Sequence, residues 1–292
     1  MSPQKLQDEV SRYIDTQQNR MVLSARFPLM KPLIIRLHRI LKKIKNKTVY
    51  IAREKSTPLL PYITARHSSP LLRKLGESDM RLQLQKITNL KTALYSLNNL
   101  LIKPGQTFSF WETLGKPTKS SGYVDGMLLS NGQIFEGIGG GLCQLGNLLH
   151  FLMLHTPLTV IERYHHSMDV FPDSARTIPF ASGATVMYNF VDLQIKNTTT
   201  STFQIKLWIT DTQLKGQILS DQKCMEKIHV YQKDHIFIHF KGRWYRRNQL
   251  WRDVSIDGKL QRSEHLYTTI APVCYTVTKK YLEKLGYEYV VL

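Results

Sequence analysis

The chain has 292 residues, of which 42% are hydrophobic, and this composition excludes a disordered chain while allowing one large domain or a domain with appendages. Its formal net charge of +18 points to an anionic partner, whether a nucleic acid, a membrane surface or an acidic substrate. No stretch is long and apolar enough to predict a membrane span or a secretory signal, so we expect a protein of the cytoplasmic side, in contact with the inner face of the membrane.

The N-terminal region combines a polar helix, predicted over residues 1–20, with a basic segment over residues 21–48 that contains no Asp or Glu. Between Leu33 and Ile44, apolar residues recur every three or four positions with Lys and Arg among them, which predicts one apolar stripe on a helix. Such a helix either lies on an anionic membrane surface or packs its stripe into a core. The sequence alone fits both interpretations.

The middle of the chain leads into a central helix. Leucines at helical spacing predict a helix over residues 80–102, which ends at Pro104-Gly105. A short strand over residues 107–111 and a hairpin around Asn131-Gly132 follow. After three consecutive glycines, residues 142–155 are apolar nearly all round, and a helix that is apolar on every side belongs in the centre of a domain.

The second half of the chain is rich in β-branched and aromatic residues, which predicts strands. We therefore expect an α+β fold in which a buried central helix starting at Cys143 packs on an antiparallel sheet from residues 159–210. The predicted organisation is a basic helical N-terminal segment over 1–50, a core domain over 51–222 and a β-rich C-terminal extension over 223–292. The predicted strands of the core sheet are Thr159–Arg163, Ala184–Phe190, Leu193–Lys196 and Phe203–Thr210.

The triple glycine and the cysteine behind it form the most informative motif. Gly139, Gly140 and Gly141 allow a tight turn and a close approach of a ligand to the backbone, and with Gln144 they are the candidate ligand-binding residues. Cys143 lies in the first turn of the predicted helix. Unpaired backbone N–H groups and the helix dipole favour a thiolate there, so we expect a lowered thiol pKa.

A thiolate nucleophile needs a base, and the base needs a group that orients it. His165 and His166 follow the next predicted strand, and Asp169 and Asp192 come later. The candidate catalytic set is therefore Cys143 as nucleophile, either histidine as proton shuttle (His166 first) and Asp192 or Asp169 as orienter. This order resembles that of papain-like and transglutaminase-like cysteine enzymes, and a resemblance of order does not establish function.

Other interpretations of the same residues remain open. A free cysteine usually packs in a core, and glycines also serve close packing between a helix and a strand. A metal site from Cys143, His150, His165 and His166 lacks a close ligand pair, so we expect neither a metal nor another cofactor. No Lys-Ser or Lys-Thr follows the glycines, so they are not a P-loop. Nucleic-acid binding is not favoured, since the basic residues concentrate in one helix.

The chain resembles the VanW-like family, the accessory proteins of B-type vancomycin-resistance clusters. The resemblance is densest at Gly137–Gln144 and covers roughly residues 26–220. Where many members have Ser-Thr shortly after the Cys-Gln pair, this chain has Gly146-Asn147. The other segments that carry it are Arg26–Pro28, Leu72–Gly76, Ser78–Met80, Thr88–Lys91, Pro104-Gly105, Thr107–Trp111, Gly115–Thr118, Gly122-Tyr123, His165–Ser167, Phe171–Asp173 and Lys196–Thr199.

The resemblance implies a role in glycopeptide resistance or cell-envelope metabolism and leaves two hypotheses. The first is a Cys-His acyl-transfer enzyme, an amidase or transpeptidase that acts on a cell-wall peptide, with the N–H groups near Gly141 as an oxyanion hole. The second is a non-catalytic, membrane-peripheral protein that binds a cell-wall precursor or a partner enzyme, with residues 21–48 on an anionic membrane. The geometry around Cys143 discriminates between them.

Overall fold

The computed structural model describes residues 2–19, 28–72, 80–130, 133–170, 172–173 and 178–292. Its helices are α1 (Pro3–Asn19), α2 (Lys31–Lys47), α3 (Met80–Leu97), α4 (Phe110–Leu114), α5 (Leu142–Leu154) and α6 (Lys279–Lys284), with 3₁₀ turns at Pro28–Met30 and Lys119–Ser121. Its strands are β1 (Tyr62–Pro70), β2 (Leu101–Ile102), β3 (Thr107–Ser109), β4 (Asp125–Ser130), β5 (Gln133–Ile138), β6 (Thr159–Glu162), β7 (Gln194–Lys196), β8 (Phe203–Ile209), β9 (Gln213–Ser220), β10 (Glu226–Phe240), β11 (Arg243–Ile256), β12 (Lys259–Pro272) and β13 (Tyr289–Val291).

The expected α+β fold with a buried central helix is confirmed. Helix α5 begins one residue before Cys143, and Leu145 and Leu149 on it are fully buried. It packs on an antiparallel sheet with the strand order β1–β9–β8–β2. Gly216 of β9 leaves room for Leu152 of the helix, because a Cβ there would meet the leucine methyl group. The sheet predicted from residues 159–210 is thus only partly correct. Strand β8 lies in the central sheet, whereas β6 and β7 pair with β3 in a separate three-stranded sheet, and β1, β2 and β9 fall outside the predicted range.

Two predicted strands differ from the structure because side chains bind their backbone. Residues 184–190 form turns and isolated bridges, and Asn147 of α5 accepts a hydrogen bond from the Ala184 N–H at 2.8 Å. The strand predicted over residues 107–111 ends at Ser109, whose hydroxyl caps α4 by accepting a hydrogen bond from the Glu112 N–H. The predicted hairpin is present as β4 and β5, and its turn residues, 131–132, lie outside the described residues.

The C-terminal sheet, in the order β12–β11–β10–β13, packs one face on the core. Phe151 and Leu154 of α5 cluster there with Val230 and Leu250 of the sheet. Helix α1 packs on another part of this sheet, where its apolar residues contact strand residues from β10 and β11 and Glu9 pairs with the buried Arg247. The apolar residues of that contact are Leu6, Val10, Ile238, Phe240 and Tyr245.

Helix α2 lies with its polar side towards the body of the protein. Lys42 forms an ion pair with Glu162, and the Asn46 amide donates to Glu112 at 3.0 Å and accepts from Gln194 at 3.0 Å. The apolar stripe faces outward instead, and its residues keep about half of their surface exposed. They are Leu33 (61%), Leu37 (55%), Ile40 (49%), Leu41 (53%) and Ile44 (57%). Among the described helices, none is long and apolar enough to cross a bilayer.

Candidate functional site

The triple-glycine turn before α5 is packed against neighbouring backbone. Gly139 and Gly141 have φ angles of 77° and 94°, which L side chains rarely adopt. A Cβ at Gly140 would overlap the backbone of Gly126 on β4. The Asn89 amide on α3 fastens the turn by donating to the Gly140 carbonyl at 2.9 Å. These contacts give the glycines a structural role in bringing α5 and β4 together, while their candidacy as ligand-binding residues stays a prediction.

Two side chains pack around the triple-glycine turn and the first turn of α5. The aliphatic part of Lys86 lies over Gly141 and fills the space that a Cβ there would need. The amide of Gln144 donates to the Ser69 hydroxyl at 3.0 Å and to the Pro70 carbonyl at 2.8 Å. The Gln144 side chain therefore joins the first turn of α5 to the end of β1.

Cys143 lies in the first turn of α5 as expected, and its thiol is set among apolar neighbours. Sγ contacts the Val186 carbonyl at 3.7 Å, and the side chain packs against the main hydrophobic core. Burial raises the pKa of the Cys143 thiol. This shift is opposite in direction to the lowering that the helix start alone predicts.

One of the two histidines, His166, reaches the same short segment as the cysteine. His166 Nδ1 lies 3.0 Å from the Thr185 hydroxyl, next to Val186 in the chain, and His165 is exposed. Among the described hydrogen bonds, none joins Cys143 to either histidine. Cys143 and His166 thus contact consecutive residues of one segment, Val186 and Thr185.

The two candidate orienting carboxylates bind other groups. Asp192 is fully buried and accepts hydrogen bonds from the Ser109 hydroxyl at 2.6 Å and the Gln194 amide at 3.0 Å. Burial raises the pKa of the Asp192 carboxyl, and these hydrogen bonds oppose the rise. Asp169 lies 3.1 Å from Arg246 and accepts from the Tyr275 hydroxyl at 3.0 Å. These partners fix Asp192 to the start of α4 and Asp169 to the C-terminal sheet.

A buried ion cluster joins the core to the C-terminal sheet, between residues that lie 73 and 77 positions apart in the sequence. Arg246 of β11 is 1% exposed and pairs with both Asp169 and Asp173. The hydroxyls of Tyr275 and Tyr287 donate to the same two carboxylates. Burial alone would lower the pKa of the Arg246 guanidinium, but the hydrogen bond with Asp173 and the charge of Asp169 raise it. The signal of this cluster in the sequence is the Trp244–Arg247 stretch, in which two arginines follow two aromatic residues.

A second set of buried polar groups holds the carbonyls of residues 180–183. The Asn248 amide donates to Phe180, His150 Nδ1 to Ser182 at 2.7 Å, and the Arg163 guanidinium to Ala181 and Gly183. Burial lowers the pKa of His150 to about 3, so its imidazole is neutral. No group of His, Cys, Asp and Glu in the described ranges is placed to hold a metal ion.

The chain matches known proteins over most of its length. Residues 85–219 match the family described as VanW like protein. The chain is 31% identical over 261 residues to the vancomycin B-type resistance protein VanW of Enterococcus faecalis. This alignment covers 88% of this chain and 95% of that protein. It is 28% identical over 109 residues to the uncharacterized protein YoaR of Bacillus subtilis, which covers 37% of this chain and 34% of that protein. No solved structure matches, so the papain-like or transglutaminase-like arrangement stays a prediction.

Proposed function

The chain belongs to the VanW-like family, which is related to vancomycin resistance, and from that membership we propose that it is a non-catalytic accessory protein docked on an anionic membrane surface. One observation carries the proposal: helix α2 turns its apolar stripe outward and its polar side inward. A helix that served only to pack a core would have the opposite orientation.

The charge of α2 matches the headgroups of an anionic leaflet. Arg36, Lys43 and Lys45 are exposed and border the apolar stripe. A helix in this arrangement places its apolar face among the upper acyl chains, while its basic residues contact anionic headgroups. The inner leaflet of a bacterial membrane supplies such headgroups. The proposed role there is to bind a cell-wall precursor or a partner enzyme.

The test is co-sedimentation of the full chain with vesicles. We expect binding to vesicles that contain phosphatidylglycerol, weakening as salt rises, and little binding to pure phosphatidylcholine. The double substitution Leu37→Glu with Ile44→Glu should weaken binding about tenfold or more. Leu260→Glu is the matched control, because Leu260 is also exposed, at 60%, and lies on β12. Binding that is equal on both vesicles, absent from both, or insensitive to the double substitution would contradict the proposal.

Acyl transfer by Cys143 is the second candidate, and one observation favours it. Cys143 and His166 contact consecutive residues, Val186 and Thr185, so a small movement of that segment could bring thiol and imidazole together. The test is complementation of a resistance strain that lacks its own family member. The first proposal expects Cys143→Ala to support resistance as the wild type does. Loss of resistance with an unchanged melting temperature would favour the enzyme instead.

A further inference from the structure

The outer face of the C-terminal sheet carries aromatic rings that do not pack in the hydrophobic core. Residues paired across β-strands point to the same side, and Tyr231 pairs with Trp251, which pairs with His265. The residues between them, among them Val230 and Leu250, pack on α5 and define the inner face. The rings of Tyr231, Trp251 and His265 therefore lie on the side of the sheet that faces away from the core.

The rings on this outer face are held in fixed positions by one another. His229 stacks on Tyr231 with ring centroids 5.6 Å apart and planes 10° apart, and His265 lies 5.1 Å from Trp251. The Lys233 ammonium lies between the two pairs, 5.3 Å from the Tyr231 ring and 4.6 Å from the Trp251 ring. Aromatic side chains fixed in this way offer contact area that costs little conformational entropy on binding.

Polar groups around the rings keep unused hydrogen-bonding capacity. Asp253 accepts hydrogen bonds from the hydroxyls of Tyr231 and Ser263, both on Oδ1. The Trp251 indole N–H donates to Gln249 Oε1 at 3.0 Å. Within the described part of the chain, no hydrogen bond is recorded for Asp253 Oδ2 or for the Gln249 amide nitrogen. One strong acceptor and one amide donor thus stand beside the rings.

The charge of this face distinguishes it from the rest of the molecule. The chain carries a net charge of +18, yet across the two cross-strand rows that hold the rings and the adjoining row of Lys233 the charges of Lys233 and Asp253 cancel. A nucleic acid would need several cations along its phosphates, and a lipid surface would need apolar side chains without a carboxylate. The face is therefore suited to a neutral ligand.

We propose that this outer face, centred on Tyr231 and Trp251, binds a neutral oligosaccharide. A pyranose ring has C–H groups on its faces, which pack on aromatic rings, and hydroxyls on its rim. Those hydroxyls can donate to Asp253 Oδ2 and accept from the Gln249 amide. An extended, β-1,4-linked chain suits the cross-strand row of Tyr231, Trp251 and His265, because its successive rings lie in one ribbon. The inference is independent of the proposed membrane docking, which uses α2.

The test is calorimetric titration of the full chain with cellopentaose and chitopentaose, and with oligo(dT) as the anionic comparison. Both Trp251→Ala and Tyr231→Ala should weaken glycan binding about tenfold or more, as expected for a central aromatic contact. Trp251→Phe, which keeps a ring, should retain most of the affinity. Tyr95→Ala is the control, since Tyr95 is 88% exposed on α3 and should leave the affinity unchanged.

Thermal unfolding of each variant separates a lost site from a lost fold. Weakened binding by Trp251→Ala at an unchanged melting temperature, with affinity kept by Trp251→Phe, supports the proposal. Three results overturn it: no heat of binding for either glycan, glycan binding that Trp251→Ala leaves unchanged, or tighter binding of oligo(dT) that Trp251→Ala abolishes. The last result would assign the face to single-stranded nucleic acid.

Discussion

At the residue scale, Gly140 and Gly105 are glycines for different physical reasons. Gly105 has a φ of 78° and open space around it, so an alanine there would carry only backbone strain, about 1–2 kcal/mol. An alanine at Gly140 would overlap the backbone of Gly126, which cannot move aside as a flexible side chain can. We expect Gly140→Ala to lower the free energy of unfolding by about 3 kcal/mol or more. Urea denaturation measures both variants, and equal losses would contradict this account of the turn.

His150 gives the protein a predictable sensitivity to acid. Its Nδ1 donates to Ser182, and its Nε2 is buried without a partner among the described residues, so protonation would create a buried, unsatisfied charge. The pKa of His150 falls from 6.5 to about 3, so between these values the unfolded state binds more protons than the folded state. Stability should therefore fall as pH falls through this window, by up to about 1.4 kcal/mol per pH unit.

The substitution His150→Asn tests this contribution, because an amide can still donate to Ser182 but does not titrate. We expect the free energy of unfolding of this variant to fall less steeply with decreasing pH, between neutral and mildly acidic pH, than that of the wild type. His265→Gln serves as the control at an exposed histidine and should leave the slope unchanged. The slope is the decisive quantity, because a cavity left by the smaller side chain would shift stability equally at every pH. An unchanged slope in His150→Asn would show that another group dominates.

At the scale of elements, the ion pair between Lys42 and Glu162 fastens α2 to the body. Their side chains are only 11% and 13% exposed, so the pair is screened less than a surface pair. We expect Glu162→Gln to destabilise the docked helix by about 1–3 kcal/mol, which hydrogen exchange would show as faster exchange of α2 amides. Amides of α5 should keep their protection.

The control for that experiment is Glu136→Gln. Glu136 pairs with Arg81 at 2.8 Å, but the two side chains are 42% and 52% exposed and lie away from α2. Exchange of α2 should not change in this variant. If α2 exchanges equally fast in the wild type and in Glu162→Gln, the ion pair does not hold the helix, and the contacts of Asn46 carry that role.

The sequence could predict which elements form and could not predict which way they face. The spacing from Leu33 to Ile44 identified an amphipathic helix, but the acceptors that turn its polar side inward, Glu112 and Glu162, come far later in the chain. The run of three glycines indicated a backbone requirement at this turn. The sequence could not predict that the backbone of Gly126, on β4, packs against Gly140. The prediction that Cys143 lies at a helix start is correct. The burial that raises the pKa of its thiol depends on the packing of the whole core, which the local sequence does not show.

At the scale of the whole molecule, the Arg246 cluster couples the core to the C-terminal sheet. The substitution Arg246→Gln would leave Asp169 and Asp173 buried with less compensation, and loss of one partner from a buried pair costs about 3–5 kcal/mol. We expect a destabilisation of that size in urea, together with proteolytic cleavage near the junction under native conditions. Arg243→Gln, at an exposed arginine of β11, is the control. Equal stability of the two variants would show that apolar contacts alone join the two parts.

The docking of α1 on the C-terminal sheet has a consequence for the order of events during synthesis. Glu9 meets Arg247 across 238 positions of sequence, so α1 has no surface to pack on until β10 and β11 have emerged from the ribosome. Closing a loop of that length is entropically slow. Until that sheet forms, the apolar side of α1, with Leu6 and Val10, remains available to chaperones or to other nascent chains. Helix α1 is thus made before the sheet on which it packs, and it reaches its place only after that sheet has formed.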